Sequence, residues 1–306
     1  MLDSKHKSSY TSYMNRLSVK KRSEILHLMC EGTSLRATSR LTGVSINTVS
    51  KLLVDAGNAC AAFHDDAVRG VKAKRIQCDE IWSFTYAKQK NVETAKAAPE
   101  GAGDTWTWTA LDSDSKLIVS CLEGGRDAGY AHEFMQDVAD RLENRVQLTT
   151  DGHKVYLEAA EGAFGGQVDY AQLIKIYGAT HEHAKGRYSP AECKGTRKVP
   201  VSGNPDFKNV STSHVERQNL TMRMHMRRFT RLTNAFSKKF ENHAHMVALY
   251  TVYYNFVKIH TTLKVTPAME VGLSETVRDF EWIVGLIDVN APKPGPRGPY
   301  KTQKED

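Results

Sequence analysis

Three acidic residues sit where a carboxylate is either costly or well placed for chemistry. Asp79 lies inside KRIQCDEIWSFTY (74–86), an apolar and aromatic run. A buried acid in such a run is unfavourable unless it is paired or binds a metal. Asp151 closes the short apolar stretch RVQLTT (145–150) and precedes Gly152. Glu216 falls in the first turn of a helical pattern that follows a long polar segment. Acids so far apart in sequence can meet only through folding, and together they would supply hard oxygen ligands for Mg²⁺ or Mn²⁺. Two such ions roughly 3.5–4 Å apart activate a water or a 3′-hydroxyl and stabilise the leaving oxygen in phosphodiester chemistry. Each acid also has a local reading. Asp151-Gly152 is a turn dipeptide, and Glu216 completes a Ser213-x-x-Glu216 capping box. Glu80 is an alternative ligand, but strand alternation turns it to the face opposite Asp79.

The elements that must position these acids can be read from the periodicity. Residues 74–86 form a first strand, followed by a polar hairpin loop. TWTWTAL (105–111) alternates as a second strand, with Trp106 and Trp108 on one face and threonines on the other. After a turn at 112–115, KLIVSCL (116–122) is a third strand. Residues 127–144 have helical spacing, 145–150 are a fourth strand, 153–160 a short helix and 167–177 a fifth strand. The succession β-β-β-α-β-α-β is that of an RNase H-like domain, a mixed five-stranded sheet with flanking helices. Residues 178–212 show no periodicity and read as a loop insertion. A long helix is expected from 213 to 232, and another from 236 to 260. The tail from 290 onward is rich in Pro, Gly and Lys, a composition that opposes order.

Ahead of this domain, three short helices are expected over 18–31, 35–42 and 46–55. Ser34 and Ser45 serve as caps, and Gly32, Gly43 and Gly57 as stops. In SLRATSRLTGVSINTVSKLLVDAG, Ser39 and Gly43 permit a sharp helix crossing, and Val49 and Leu52 clamp the last helix. That is the helix-turn-helix arrangement of DNA-binding proteins. It leaves Asn47, Thr48, Ser50 and Lys51 outward on the recognition helix, with Arg36 and Arg40 on the helix before it. The net charge of +7 favours a polyanionic partner, and residues 1–60 hold nine Lys/Arg against four Asp/Glu. Farther on, Arg223, Arg227 and Arg231 recur every four residues as a basic stripe, flanked by Arg217 and Arg228, and phosphate tracking is its expected role. No long uncharged apolar run suggests a membrane span. The five cysteines are scattered and contain no C-x-x-C pair, so reduced thiols in a cytoplasmic setting are expected. The histidines at 181 and 183 lack partners for a zinc site.

The stretches IQCDEIWSF, LTTDGHKVY and STSHVERQNLTMRMHMRRFTRLTNAFSK resemble the three acidic motifs of DDE-type insertion-sequence transposases, nearest the insertion-sequence-one group. YYNFVKIHTTLKVTPAM resembles that family's closing segment. The resemblance spans most of residues 74–270 and implies membership of the retroviral-integrase superfamily. By it, Asp79, Asp151 and Glu216 are the catalytic triad and hold two Mg²⁺ (or Mn²⁺) ions, while His214, Arg217 and Asn219 support the site or contact DNA. The family's zinc-binding N-terminal element has no counterpart here. The resemblance further implies double-stranded DNA as partner, both transposon terminal repeats and target, and a homodimer or higher oligomer that synapses two ends. The implied location is the bacterial cytoplasm, at the nucleoid. The expected organisation is a helix-turn-helix domain over 1–58, a linker helix over 59–73, the catalytic domain over 74–272 and a C-terminal segment over 273–306. A transposase-derived regulator without catalysis and a metal-dependent nuclease are the alternatives.

Overall fold

The computed structural model describes residues 16–178, 193–230 and 234–291. The first three helices are α1 (Val19–Cys30), α2 (Leu35–Thr42) and α3 (Ile46–Ala67). Their caps are the expected ones: Ser18, Ser34 and Ser45 each accept a backbone N–H of the following first turn. Gly43 ends α2 in the left-handed region at φ 69°, where a side chain would be strained. Ser34 Oγ accepts from Ala37 N at 3.2 Å, so Ser34→Ala is expected to cost about 1 kcal/mol. Urea melts measure it, and an unchanged midpoint would remove the cap from the account.

The third helix departs from expectation. It does not stop at Gly57 but runs on to Ala67, so the expected linker helix is its final part. Packing overrides the weak helix propensity of glycine here, because Gly57 lies where α3 meets α7 (Phe240–Val252). At its far end Arg141 donates to the carbonyls of His64 and Val68 and pairs with Asp65 at 2.9 Å. These bonds fix the end of α3 to α4 (Ala128–Arg141).

The sheet has six strands: β1 (Arg75–Thr85), β2 (Gly103–Asp112), β3 (Ile118–Gly124), β4 (Val146–Asp151), β5 (Val168–Tyr177) and β6 (Cys193–Ser202). Their order is β3-β2-β1-β4-β5-β6. β1, β2 and β3 form an antiparallel meander, β4 lies parallel to both β1 and β5, and β6 closes the far edge antiparallel to β5. The fold is therefore mixed α/β. The sixth strand was expected to be loop. Its residues are mostly exposed, and it carries Gly195 and Pro200 beside a register shift. An edge strand tolerates both, and it lacks the alternation that marks a half-buried strand.

Helices cover both faces. Trp108 and its neighbours pack on α4 and α5 (Val155–Phe164), with Phe134 and Tyr156 against the indole ring. The threonine face of β2 is also buried, beneath α6 (Ser213–His225) and α7. Thr107 and Ser83 hydroxyls meet His243 Nε2 there at 3.4 Å each. After α7 comes a π-turn, Tyr253–Val257, whose Asn255 side chain bonds both the N–H and the carbonyl of Ile118. The short α8 (Pro267–Glu270) follows, and α9 (Phe280–Asn290) packs on α1 and α3, an element not expected from the sequence. Arg22 anchors it through Asp288 at 3.0 Å.

Two expected long helices are shorter. α6 ends at His225, Met226 turns extended at φ −120° and ψ 105°, and Arg227–Phe229 form a single 3₁₀ turn. Met226 and Phe229 are both buried in the core across this break. The arginines at 223 and 227 therefore do not share one helical stripe, and Arg231 lies outside the described residues. The histidines at 181 and 183 and the basic tail also lie outside them. No disulfide forms: Cys30, Cys60 and Cys78 are buried thiols, Cys121 is half-buried and Cys193 exposed. Among the described residues no helix is long and apolar enough to cross a membrane.

Candidate metal centre

The order of the strands creates a notch. From β1 the chain builds outward to β2 and β3 on one side, while β4 and β5 lie on the other. In open sheets of this kind, the crevice at the carboxyl ends of parallel strands on either side of such a reversal is a natural ligand site. The parallel pairing of β1 and β4 ends at Cys78 and Thr150, one residue short of both Asp79 and Asp151. β1 continues beyond this point while β4 stops at Asp151. No β4 backbone therefore flanks the next β1 residues.

The carboxylates of Asp79, Glu80 and Asp151 each bring an oxygen within 4.8 Å of the others. Glu80 is the addition to the expected set. Its backbone does alternate away from Asp79, pairing with Trp108 above α4 and α5. Beyond the end of β4, however, its side chain reaches Asp151 from the opposite face. Three carboxylates at this separation are a donor set suited to a hard divalent cation. This group could hold a metal ion.

Glu216 stands beside the trio without joining it. It lies in the first turn of α6, whose first N–H groups are capped by Gln77 of β1, accepting from His214 N at 2.9 Å and Val215 N at 3.2 Å. The expected capping box is replaced: Thr212 is the N-cap, and its hydroxyl donates to Glu216 Oε1. Lys175 Nζ, from β5, sits 2.7 Å from the same oxygen. Glu216 nonetheless shares the electrostatics of the notch, because its charge helps raise the Asp79 pKa.

That pKa is pushed up to about 7. Burial is the largest cause, followed by the charges of Glu80, Asp151 and Glu216. Burial and Asp151 likewise raise Glu80. Arg126 opposes them. It donates from Nε and Nη2 to Glu80 Oε2 at 3.1 and 3.0 Å, and lies 3.8 Å from Asp151. Its guanidinium stacks 4.5 Å from the Trp106 ring centroid, which fixes the fork while leaving it partly wet. Four carboxylates thus face two cations, Arg126 and Lys175, and the excess of acid over base raises the affinity for a divalent cation.

Among the supporting residues, Asn219 is buried and donates from Nδ2 to Asp79 Oδ2 at 2.8 Å. His214 faces Lys116, with Nδ1 3.3 Å from Nζ, and is not in contact with the acids. Burial, then the charge of Lys116, lowers its pKa. Arg217 is exposed on α6. Arg223, in the last turn of α6, is half-buried. On α3, Asn47, Thr48 and Lys51 are exposed and Ser50 is half-buried, and Arg36 and Arg40 are exposed on α2. Lys51 pairs with Asp55 at 2.7 Å, a bond weak enough at the surface to exchange for a phosphate.

Sequence reasoning missed Glu80, Arg126 and Lys175. The DE pair at 79–80 was a usable signal, discarded on alternation. Arg126 follows two glycines and Lys175 sits in a strand, with no motif around either. The chain matches no family model, and no curated protein is similar to it.

Proposed function

We propose that the protein is a DNA transposase of the DDE type, with an N-terminal helix-turn-helix and an RNase H-like catalytic domain. The observation that carries this reading is the meeting of Asp79 and Asp151 just past the last paired residues of parallel β1 and β4, with Glu216 coupled to Asp79 from the helix beyond. Supporting it are the strand order β3-β2-β1-β4-β5, the resemblance of the three acidic stretches, and the capped helices α2 and α3.

In this reading Asp79 and Asp151, with Glu80 or Glu216, hold Mg²⁺ or Mn²⁺. The bound cations would activate the attacking oxygen and stabilise the leaving 3′-oxygen of a phosphodiester. The chain's own residues prepare the site. Asn219 holds one oxygen of Asp79 and leaves the other to face the notch. Arg126 ties Glu80 in place and lowers the repulsion among the acids. Lys175 and Thr212 orient Glu216. The recognition helix and Arg36, Arg40, Arg217 and Arg227 would grip terminal DNA. Attack by water exposes a 3′-hydroxyl, and attack by that hydroxyl on target DNA joins the strands, so no Ser or Tyr nucleophile is required. Two ends must be brought together, which calls for a dimer or larger assembly.

The test is incubation of the full chain with Mg²⁺ and end-labelled duplex taken from the DNA flanking its own coding region. Cleavage and joining are expected, both lost in EDTA and in Asp151→Asn. Cleavage without joining would make the protein a nuclease. Specific binding without cleavage would make it a regulator. Either result overturns the proposal.

A further inference from the structure

A cavity of about 660 Å³ lies between the N-terminal helices and the chain that follows α6. Its walls carry Arg36 from α2, Arg227 and Arg228 from the turn after α6, and Lys238, with no carboxylate among the residues lining it. Arg36, Arg227 and Lys238 are exposed. Arg228 is half-buried, and its partners among the described residues are neutral: it donates to Ser237 Oγ at 2.9 Å and to the Asn242 carbonyl. Burial pushes its pKa down to about 10. A guanidinium partly withdrawn from water with no carboxylate partner among the described residues is costly, and an anion in the cavity would offset that cost. Ile46, the first residue of the recognition helix, lines the same cavity. Arg227 and Arg228 come directly after the helix that carries Glu216.

We infer that this cavity is a phosphate-binding groove that seats the backbone of duplex DNA between the recognition helix and the carboxylate notch. The identity of the polyanion rests on the transposase reading; the groove itself rests on its four cations and the absence of acids along it. Such contacts position a duplex without reading its sequence. They make three residues of separate elements, Arg36, Arg227 and Lys238, act on one run of phosphates. Lys238 was not among the DNA contacts expected from the sequence.

Each phosphate contact contributes about 0.9 to the slope of log affinity against log salt for duplex DNA. The test compares the full chain with the triple variant Arg36→Gln, Arg227→Gln, Lys238→Gln on a duplex of about 30 base pairs, by fluorescence anisotropy across a salt series. Arg228 is left in place because its bonds to Ser237 and Asn242 tie the fold. Thermal melts confirm folding, and Lys72→Gln, beside Glu143 and outside the groove, serves as control. The slope is expected to fall by about 2–3 in the triple variant, on every duplex sequence alike, and by much less in the control. A fall of less than about one, or one matched by the control, overturns the inference. Salt dependence is read without divalent cations, so the groove can stand when cleavage fails and can fail when cleavage stands.

Discussion

Asp79→Asn is expected to abolish cation-dependent strand cleavage and, in the same molecule, to stabilise the cation-free protein at pH 8. The first effect follows from the proposed role of Asp79 as a cation ligand at the centre of the notch; a loss of about 10²–10³-fold is typical when a group stabilising developing charge is removed. The second follows from the electrostatics. In the folded chain Asp79 has its pKa raised from 3.8 to about 7, by burial and then by Glu80, Asp151 and Glu216. Between those values the folded state holds a proton that the unfolded state has released, so stability falls as pH rises through this window. Above about pH 7 the full cost is present, on the order of 2–4 kcal/mol. Below the unfolded pKa it vanishes. Asparagine never carries the charge, and its side-chain carbonyl can still accept from Asn219. Melts in EDTA should therefore show the variant more stable than the parent at pH 8, with the gap closing toward pH 4. A gap that is absent at pH 8, or that does not narrow on acidification, would contradict the crowding of acids described above. Mg²⁺ should reverse the order at pH 8 by stabilising the parent alone, because a ligand bound only to the folded state adds to its stability.

The starts of α2 and α3 were legible because their signals are local. Ser34, Gly43 and Ser45 state where helices begin and end through their own side chains or the lack of one, and α2 falls on the expected residues. The strands β1 to β5 were legible because each buries at least one face, so period and burial agree. Where burial and local pattern part, reading failed. β6 is an exposed edge with no apolar period, and only its pairing with β5 makes it a strand. α6 breaks at Met226, where the chain turns extended and a single 3₁₀ turn carries Phe229 onto β1, a tertiary contact that the helical spacing of 213–232 does not reveal. The candidate site divides in the same way. Asp79 stands out because an acid inside an apolar strand is conspicuous, and Asp151 because it closes a strand. Glu80 was set aside by a rule that holds within a sheet and lapses where the neighbouring strand stops. Arg126 and Lys175 enter from separate elements, and nothing in their surroundings marks them.

Gly57→Ala is expected to destabilise the protein strongly, against the usual direction of that change in a helix. In an exposed helix interior, alanine in place of glycine contributes up to about 1 kcal/mol of stability. Gly285 in α9 is such a position, with nothing within 4 Å of an added Cβ, so Gly285→Ala should stabilise. At Gly57 an added Cβ would stand 2.3 Å from the His245 Cβ and 2.5 Å from its Cα. Neither atom can swing aside, because both belong to the α7 backbone or its first side-chain carbon. The clash is relieved only by separating α3 from α7, and overpacking of this kind costs about 3 kcal/mol or more. For a chain of this size that lowers the melting temperature by roughly 5 °C or more. The pair of variants also decides between two accounts of residues 46–67. If the helix ended at Gly57, as its local pattern suggests, the glycine would sit in a turn and alanine there would do little to the α3–α7 contact. If α3 continues, Gly57→Ala and Gly285→Ala must shift the melting temperature in opposite directions. Shifts of the same sign would mean that the first turns of α3 are not continuous with the part packed on α7.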